Sequence, residues 1–311
     1  MNKKRFPKKT ARFFSVLFLG ALLALPAHGE YQKVNNSGLD IYYRVFGAGT
    51  PILIIGGGPG DVADRYLSLS QGIAKNHQCI LVDQRGTGKS TPAVFDSTTI
   101  SLALTLADFE AIRNQLGLKQ WTILGFSYGG YLASLYADSF PSAVSSLVLL
   151  GSMGLNTDAF GHFDDNITSR LWAADLERVN YWSDPARLTE NRSRAITEII
   201  RAKMPGYFFD RKKSLLVSQT MKESDFNFDL GDWLWKDIVK KDLAKADAKF
   251  AKPVLILQGR QDPLGETVAQ SLASYYSKSK LVFIEKCGHY SWIEQPEKVF
   301  ASITEFLAAG K

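Results

Sequence analysis

The stretch Leu124-Gly125-Phe126-Ser127-Tyr128-Gly129-Gly130 constrains this chain more than any other. It lies between an apolar run, Trp121-Thr122-Ile123-Leu124, and the helix-prone Tyr131-Leu132-Ala133-Ser134-Leu135-Tyr136. The pattern is strand, sharp turn, helix. A Gly-x-Ser-x-Gly motif arises by chance, and a glycine-rich turn without chemistry would also carry it, so the flanking strand and helix give it meaning. The glycines let a strained turn pack between the two elements, which leaves the Ser127 Oγ exposed and the Tyr128 N–H at the positive end of a helix. Ser127 is the candidate nucleophile, and Tyr128 N–H is a candidate donor to a developing oxyanion.

The chain opens with Lys3, Lys4, Arg5, Lys8, Lys9 and Arg12 and no acid, followed by the almost wholly apolar Phe13 to Leu25 and then Pro26-Ala27-His28-Gly29. A basic head, an apolar run too short to span a bilayer and small residues at Ala27 and Gly29 predict a signal peptide over 1–29, cleaved after Gly29. An uncleaved anchor is the alternative. Without those six basic residues, 31 Lys+Arg face 31 Asp+Glu. The remaining chain is neutral, which argues against nucleic acid or, after cleavage, a membrane as partner. The two cysteines, Cys79 and Cys287, fall at the start and end of distant strands and are expected unpaired. Asn35, Asn166 and Asn191 head Asn-x-Ser/Thr triplets, as often as composition supplies them.

Strand-like runs at 40–46, 51–55, 79–82, 121–124 and 144–150 alternate with helical patterns at 62–75 and 102–116. After an interruption the rhythm resumes with a strand at 253–257, a helix from Glu266, a strand at 280–284 and a last helix from Pro296. This alternation predicts a mostly parallel, doubly wound sheet with helices on both faces, and its length and order fit an α/β-hydrolase. The core is expected over 30–153 and 250–311. The interruption at 154–249 predicts a helical cap that closes over the Ser127 turn, the nucleophile elbow, and lines a pocket. Four tryptophans, Trp172, Trp182, Trp233 and Trp235, lie in it, either walling that pocket or filling the cap's own small core.

A serine needs a base to accept its proton as it attacks. The chain has four histidines. His28 lies in the leader, His77 precedes the serine and His162 lies in the cap, which leaves His289, just after the last strand. It also satisfies the order nucleophile, acid, histidine. The acid that orients the imidazole is expected at the carboxyl end of a neighbouring strand, where Asp262 follows Leu257; Glu266 and Glu285 compete, and helix capping is the bland role for Asp262. The loop Gly56-Gly57-Gly58-Pro59-Gly60 offers only backbone, so Gly58 first and Gly57 second are candidates for the second oxyanion donor. Two phosphate-loop look-alikes fail. Asp83 to Ser90 begins with Asp where Gly is required, and the Gly56 run has Asp61 where a dinucleotide fingerprint needs Gly. No cofactor and no metal are expected.

Gly57-Gly58-Pro59-Gly60, Asp83-Gln84-Arg85-Gly86-Thr87-Gly88-Lys89-Ser90, Gly125-Phe126-Ser127-Tyr128-Gly129-Gly130 and Gly288-His289-Tyr290-Ser291-Trp292-Ile293-Glu294-Gln295-Pro296-Glu297 together resemble the proline iminopeptidase group of α/β-hydrolases. The resemblance spans both halves of the core. It implies Ser127, Asp262 and His289 as a catalytic triad and release of an amino-terminal residue, often proline, from peptides. The group usually has His where Gly56 stands and Trp where Tyr128 stands. Its Trp- and Glu-containing cap motif, which anchors the substrate's amino group, has only a loose echo here in Trp172 and Glu177. The cap carboxylates Asp164, Asp165, Glu177, Glu190 and Glu223 are the further candidates for holding that group.

The sequence thus predicts an exported serine hydrolase, secreted or periplasmic, acting through an acyl-enzyme on small peptides, with ester hydrolysis by the same machinery as the alternative. A non-catalytic binding protein on this fold would be expected to lack a triad member, and none is missing. If the leader is removed on export, intact-mass measurement of the exported protein will find a chain that begins at Glu30 or within a few residues of it. Full-length protein confined to the cytoplasm would overturn that expectation.

Overall fold

The computed structural model describes residues 29–245 and 249–309, so the leader expected over 1–29 lies, apart from Gly29, outside the described residues. The strands are β1 (Tyr31–Asn36), β2 (Leu39–Phe46), β3 (Pro51–Ile55), β4 (Gln78–Val82), β5 (Trp121–Phe126), β6 (Val144–Leu150), β7 (Val254–Gly259) and β8 (Ser279–Ile284). They form one sheet in the order β1-β2-β4-β3-β5-β6-β7-β8. β2 pairs antiparallel with β1 and β4, and the six strands from β4 to β8 run parallel. The chain is therefore an α/β fold with a mostly parallel sheet and flanking helices.

Strand alternation sorts the core into two layers, as the period of two requires. On one face Leu53, Ile55, Trp121 and Ile123 pack with α2 (Leu102–Gln115), α3 (Tyr128–Ser139) and α10 (Glu266–Tyr275). On the other, Ile52, Ile54, Leu124 and Phe126 pack with α1 (Leu67–Ala74) and the C-terminal α12 (Pro296–Ala309). With both faces covered, the inner strands are apolar throughout rather than alternating. β1 escapes the sequence reading because it is an edge strand of largely exposed residues joined to β2 through Ser37 and Gly38, both with positive φ. Cys79 and Cys287 are buried and free.

Between β6 and β7 the chain forms α4 (Phe163–Thr168), α5 (Ala173–Trp182), α6 (Pro185–Glu190), α7 (Arg192–Lys203), α8 (Arg211–Thr220) and α9 (Phe228–Ile238). α9 buries Leu230, Leu234 and Ile238 in the core layer that holds α2 and α3. Just before it, residues 225–227 run alongside the loop after β3. Val62 N donates to Asp225 O at 3.0 Å and Asn227 N to Gly60 O at 2.8 Å, with Asp61 bridging Phe226. A Cβ on Gly60 would lie 2.2 Å from Asn227 O, so glycine is required for this approach.

The loop Asp83 to Ser90 ties elements together. Arg85 forms a two-pronged pair with Asp108 of α2, Nε to Oδ2 at 2.8 Å and Nη2 to Oδ1 at 2.5 Å, and also donates to Asn36 O and Thr99 O. Both side chains are 1% exposed. Removing one partner leaves the other charge buried without compensation, which costs about 3–5 kcal/mol. Arg85→Met is accordingly expected to lower the urea midpoint by that much stability at unchanged m-value.

Candidate active site

Ser127 sits between β5 and α3 with φ 55° and ψ −120°, a left-handed conformation that a residue with a Cβ adopts only under compulsion. The neighbours supply it. A Cβ on Gly125 would lie 2.2 Å from Gly129 O, and one on Gly129 would lie 2.3 Å from Ile55 O, so the turn closes only with glycine at both places. Ser127 N donates to Leu150 O at the end of β6, and Ser127 O accepts from Gly130 N and Met153 N. The Tyr128 N–H, first in α3, has no carbonyl one turn behind it within the helix and points from its positive end.

His289 follows β8 and Asp262 follows β7, so both lie at the carboxyl edge of the sheet with Ser127. The imidazole Nδ1 and Asp262 Oδ2 are 2.9 Å apart, and both side chains are buried. The other carboxylate oxygen of Asp262 accepts from Leu264 N at 2.9 Å, so both are occupied. Gly151 at the end of β6 leaves room for the pair, since its Cβ would lie 3.0 Å from Asp262 Oδ2. The His289 loop is clamped by Glu294 of α11 (Ser291–Glu294), whose carboxylate accepts from Gly288 N at 2.6 Å, Phe209 N at 2.9 Å and Asp210 N at 2.7 Å. Burial raises the Glu294 carboxyl above the usual carboxylate range while these three donors pull the other way. His289 N donates to Tyr207 O at 2.7 Å, which ties the same loop to the cap.

Ser127 and His289 wall one cavity of about 580 Å³ under the cap. Its sides are aromatic and aliphatic, including Phe126, Phe160, Phe163, Phe226 and Phe228. α7 contributes Arg192, Ile196, Ile199, Ile200 and Lys203, one stripe at helical spacing with a cation at each end. The single carboxylate among its described walls, Asp61, accepts from Tyr66 Oη at 2.5 Å and faces Arg65 Nη1 at 3.7 Å.

The expected residues do not all converge here. Gly58 lines the cavity, whereas the Gly57 N–H donates to Tyr66 Oη at 2.7 Å and is thereby taken from the oxyanion role expected of it. Trp172 and Glu177 must also be corrected, because neither wall residue set nor burial brings them to the cavity. Trp172 is 64% exposed, lies beneath the Arg211 guanidinium at 3.9 Å and lines a separate depression with Arg170 and Phe209. Glu177 is exposed on α5. Trp182 and Trp233 lie beneath Arg194 and Lys236, and Trp235 packs on Phe160. Asp164 pairs with Lys203, Glu190 with Arg187 and Glu223 with Arg192, while Asp165 is exposed. The competing acids Glu266 and Glu285 both pair with Arg260. Sequence reasoning missed Asp61, Arg65, Tyr66 and Glu294. For Glu294 a signal existed, an acid closing a short helix five residues after the histidine.

A family model described as alpha/beta hydrolase fold matches residues 50–296. The chain belongs to the alpha/beta hydrolases. It is 28% identical to a proline iminopeptidase of Heyndrickxia coagulans, over 84% of this chain and 91% of that protein, so the resemblance drawn from the motifs stands. Among solved structures it superposes on a meta-cleavage product hydrolase from Pseudomonas fluorescens IP01 with TM-score 0.70 and 18% identity, covering 90% of this chain and 98% of that one. A thermophilic esterase from Thermogutta terrifontis superposes with TM-score 0.68 and 18% identity over 91% and 99%. These structures share the fold.

An alpha/beta hydrolase with Ser127, His289 and Asp262 so arranged is expected to use them as a unit. Ser127→Ala and His289→Ala should each lower kcat by several orders of magnitude, and the double variant should lose no more than either alone. A serine-directed fluorophosphonate should label the wild type and not Ser127→Ala. Labelling that survives the substitution would put the nucleophile elsewhere.

Proposed function

We propose that this alpha/beta hydrolase is a serine hydrolase that cleaves carboxylic esters with an apolar acyl group, by way of an acyl-enzyme. Ser127 Oγ adds to the acyl carbonyl as His289 Nε2 takes its proton, and the oxyanion is met by the N–H groups of Tyr128 and Gly58. His289 returns the proton to the departing alkoxide as the ester C–O bond breaks, then draws one from the water that adds to the acyl carbon, and gives that proton back to Ser127 Oγ as the acyl–serine bond breaks and the acid leaves. Asp262 holds the imidazole by Nδ1 and balances its charge in the protonated state.

The observation that carries the ester reading is the lack of a free carboxylate among the cavity's described walls. Arg65, Arg192 and Lys203 wall it, and Asp61 is already engaged by Tyr66 and Arg65. A substrate ammonium there would be taken from water to meet no free carboxylate, since Asp61 is engaged and Glu223 and Asp164 already pair with Arg192 and Lys203, and that costs several kcal/mol. Release of an amino-terminal residue is the second reading, supported by the Heyndrickxia relative and by the Gly-Gly-Pro-Gly and Asp-Gln-Arg-Gly motifs. In that case Asp61 would have to exchange Arg65 for the substrate amine.

Ester turnover alone does not separate the two, because the same triad opens any activated acyl group. The comparison that does is alanine 4-nitrophenyl ester against its N-acetyl form and against 4-nitrophenyl butyrate. The uncharged esters are expected to be preferred by about tenfold or more in kcat/KM. A preference of that size for the free amine, with cleavage of prolyl and alanyl anilides, would instead establish the aminopeptidase.

A further inference from the structure

The loop after β3 holds one peptide group fast and opens its next residue on the cavity. The Gly56–Gly57 peptide is held at both ends, its carbonyl by Gln84 Nε2 at 3.2 Å and its N–H by Tyr66 Oη at 2.7 Å. The phenol has one hydrogen and gives it to Asp61 Oδ2 at 2.5 Å, so only a lone pair is turned toward Gly57. The hydrogen-bond chain therefore has a fixed direction. Burial, with Asp61 beside it, holds the Tyr66 hydroxyl proton well above its ordinary value, so the phenol stays neutral. The ring reaches this position because residue 56 has no side chain. A Cβ on Gly56 would lie 2.3 Å from Tyr66 Cε2.

The next residue, Gly58, is the one that opens on the cavity. Its φ is 112°, and a Cβ there would lie 2.4 Å from Gly60 N, so the loop has the one course that glycine permits. A Cβ on Gly57 would fall 3.3 Å from Ser127 Cβ, so the held peptide stands directly against the nucleophile. Asp61 is anchored in turn by Arg65, whose Nη2 donates to the hydroxyl of Tyr290 at 2.6 Å, the residue after His289. One chain of contacts thus runs from the loop to the histidine.

We propose that Tyr66, Asp61 and Gln84 are positioning residues that fix the oxyanion loop, pinning the Gly56–Gly57 peptide so that Gly58 presents its N–H to the oxyanion. The proposal rests on the reading of Ser127 as an acyl-accepting nucleophile. An oxyanion donor is effective because it needs no reorientation when charge appears, and misaiming one forfeits part of its contribution. None of the three side chains touches the reacting atoms in this scheme; each acts through the backbone.

Tyr66→Phe removes only the hydroxyl. It is expected to lower kcat on 4-nitrophenyl butyrate about tenfold to a hundredfold with KM within about twofold, and to weaken binding of a trifluoromethyl ketone, which forms a tetrahedral adduct, by a similar factor. Gln84→Met, similar in volume, frees the other end of the peptide and is expected to act in the same direction, which provides a second route should Tyr66→Phe fail to fold. A merely structural role would lower the folded fraction and leave the ratio of ketone affinity to substrate KM unmoved. A folded Tyr66→Phe with wild-type kcat, or a fall in kcat without loss of ketone affinity, overturns the positioning role while fluorophosphonate labelling of wild-type Ser127 keeps the nucleophile reading intact. Absence of that labelling in the wild type overturns the nucleophile and the positioning role with it.

Discussion

The site depends first on a strained residue. Ser127 is held at φ 55° and ψ −120°, a conformation that costs a side-chain-bearing residue on the order of 1–3 kcal/mol. The sheet holds it there. β5 lies between β3 and β6, all parallel and buried, and the two elbow glycines let α3 pack down against Ile55 and the strand end. The same contacts that impose the strain aim the Oγ at the cavity and the first N–H of α3 beside it. Loosening any of them would relax the serine into an ordinary turn.

A second theme is how charge is distributed around that serine. Asp262 is buried with both oxygens engaged, so it is set to stabilise an imidazolium in surroundings of low dielectric, where a counter-charge matters most. The cavity itself is apolar, and its ionic groups are already matched, Asp61 to Arg65, Arg192 to Glu223 and Lys203 to Asp164. Each of the three cations at the wall thus already faces a carboxylate.

The elbow was legible because strand, turn and helix are adjacent in sequence, and His289 and Asp262 because the fold puts such residues just beyond strand ends. The parallel strands were legible as continuous apolar runs. β1 was not, since an exposed edge strand has little apolar pattern to display. In the sequence Gly57 stands beside Gly58 as a donor because the loop offers several N–H groups, and only Tyr66, nine residues on, decides between them. Trp172 and Glu177 match the family's cap motif by residue type alone, whereas the cap's share of the cavity wall includes the stripe from Arg192 to Lys203, whose inward face depends on how α7 packs rather than on its composition. Ion pairs such as Arg85 with Asp108 join distant segments and leave no local signature at all.

The ladder between residues 60–62 and 225–227 gives the cap a say in chemistry as well as in access. The strip of chain that leads into α9 is hydrogen-bonded to the far side of the loop that carries Gly58. A displacement of that strip would reach the backbone on either side of Asp61, three residues from Gly58. A substitution in residues 225–227 would therefore be felt in the loop after β3 as well as in the cap, although none of the three belongs to that loop.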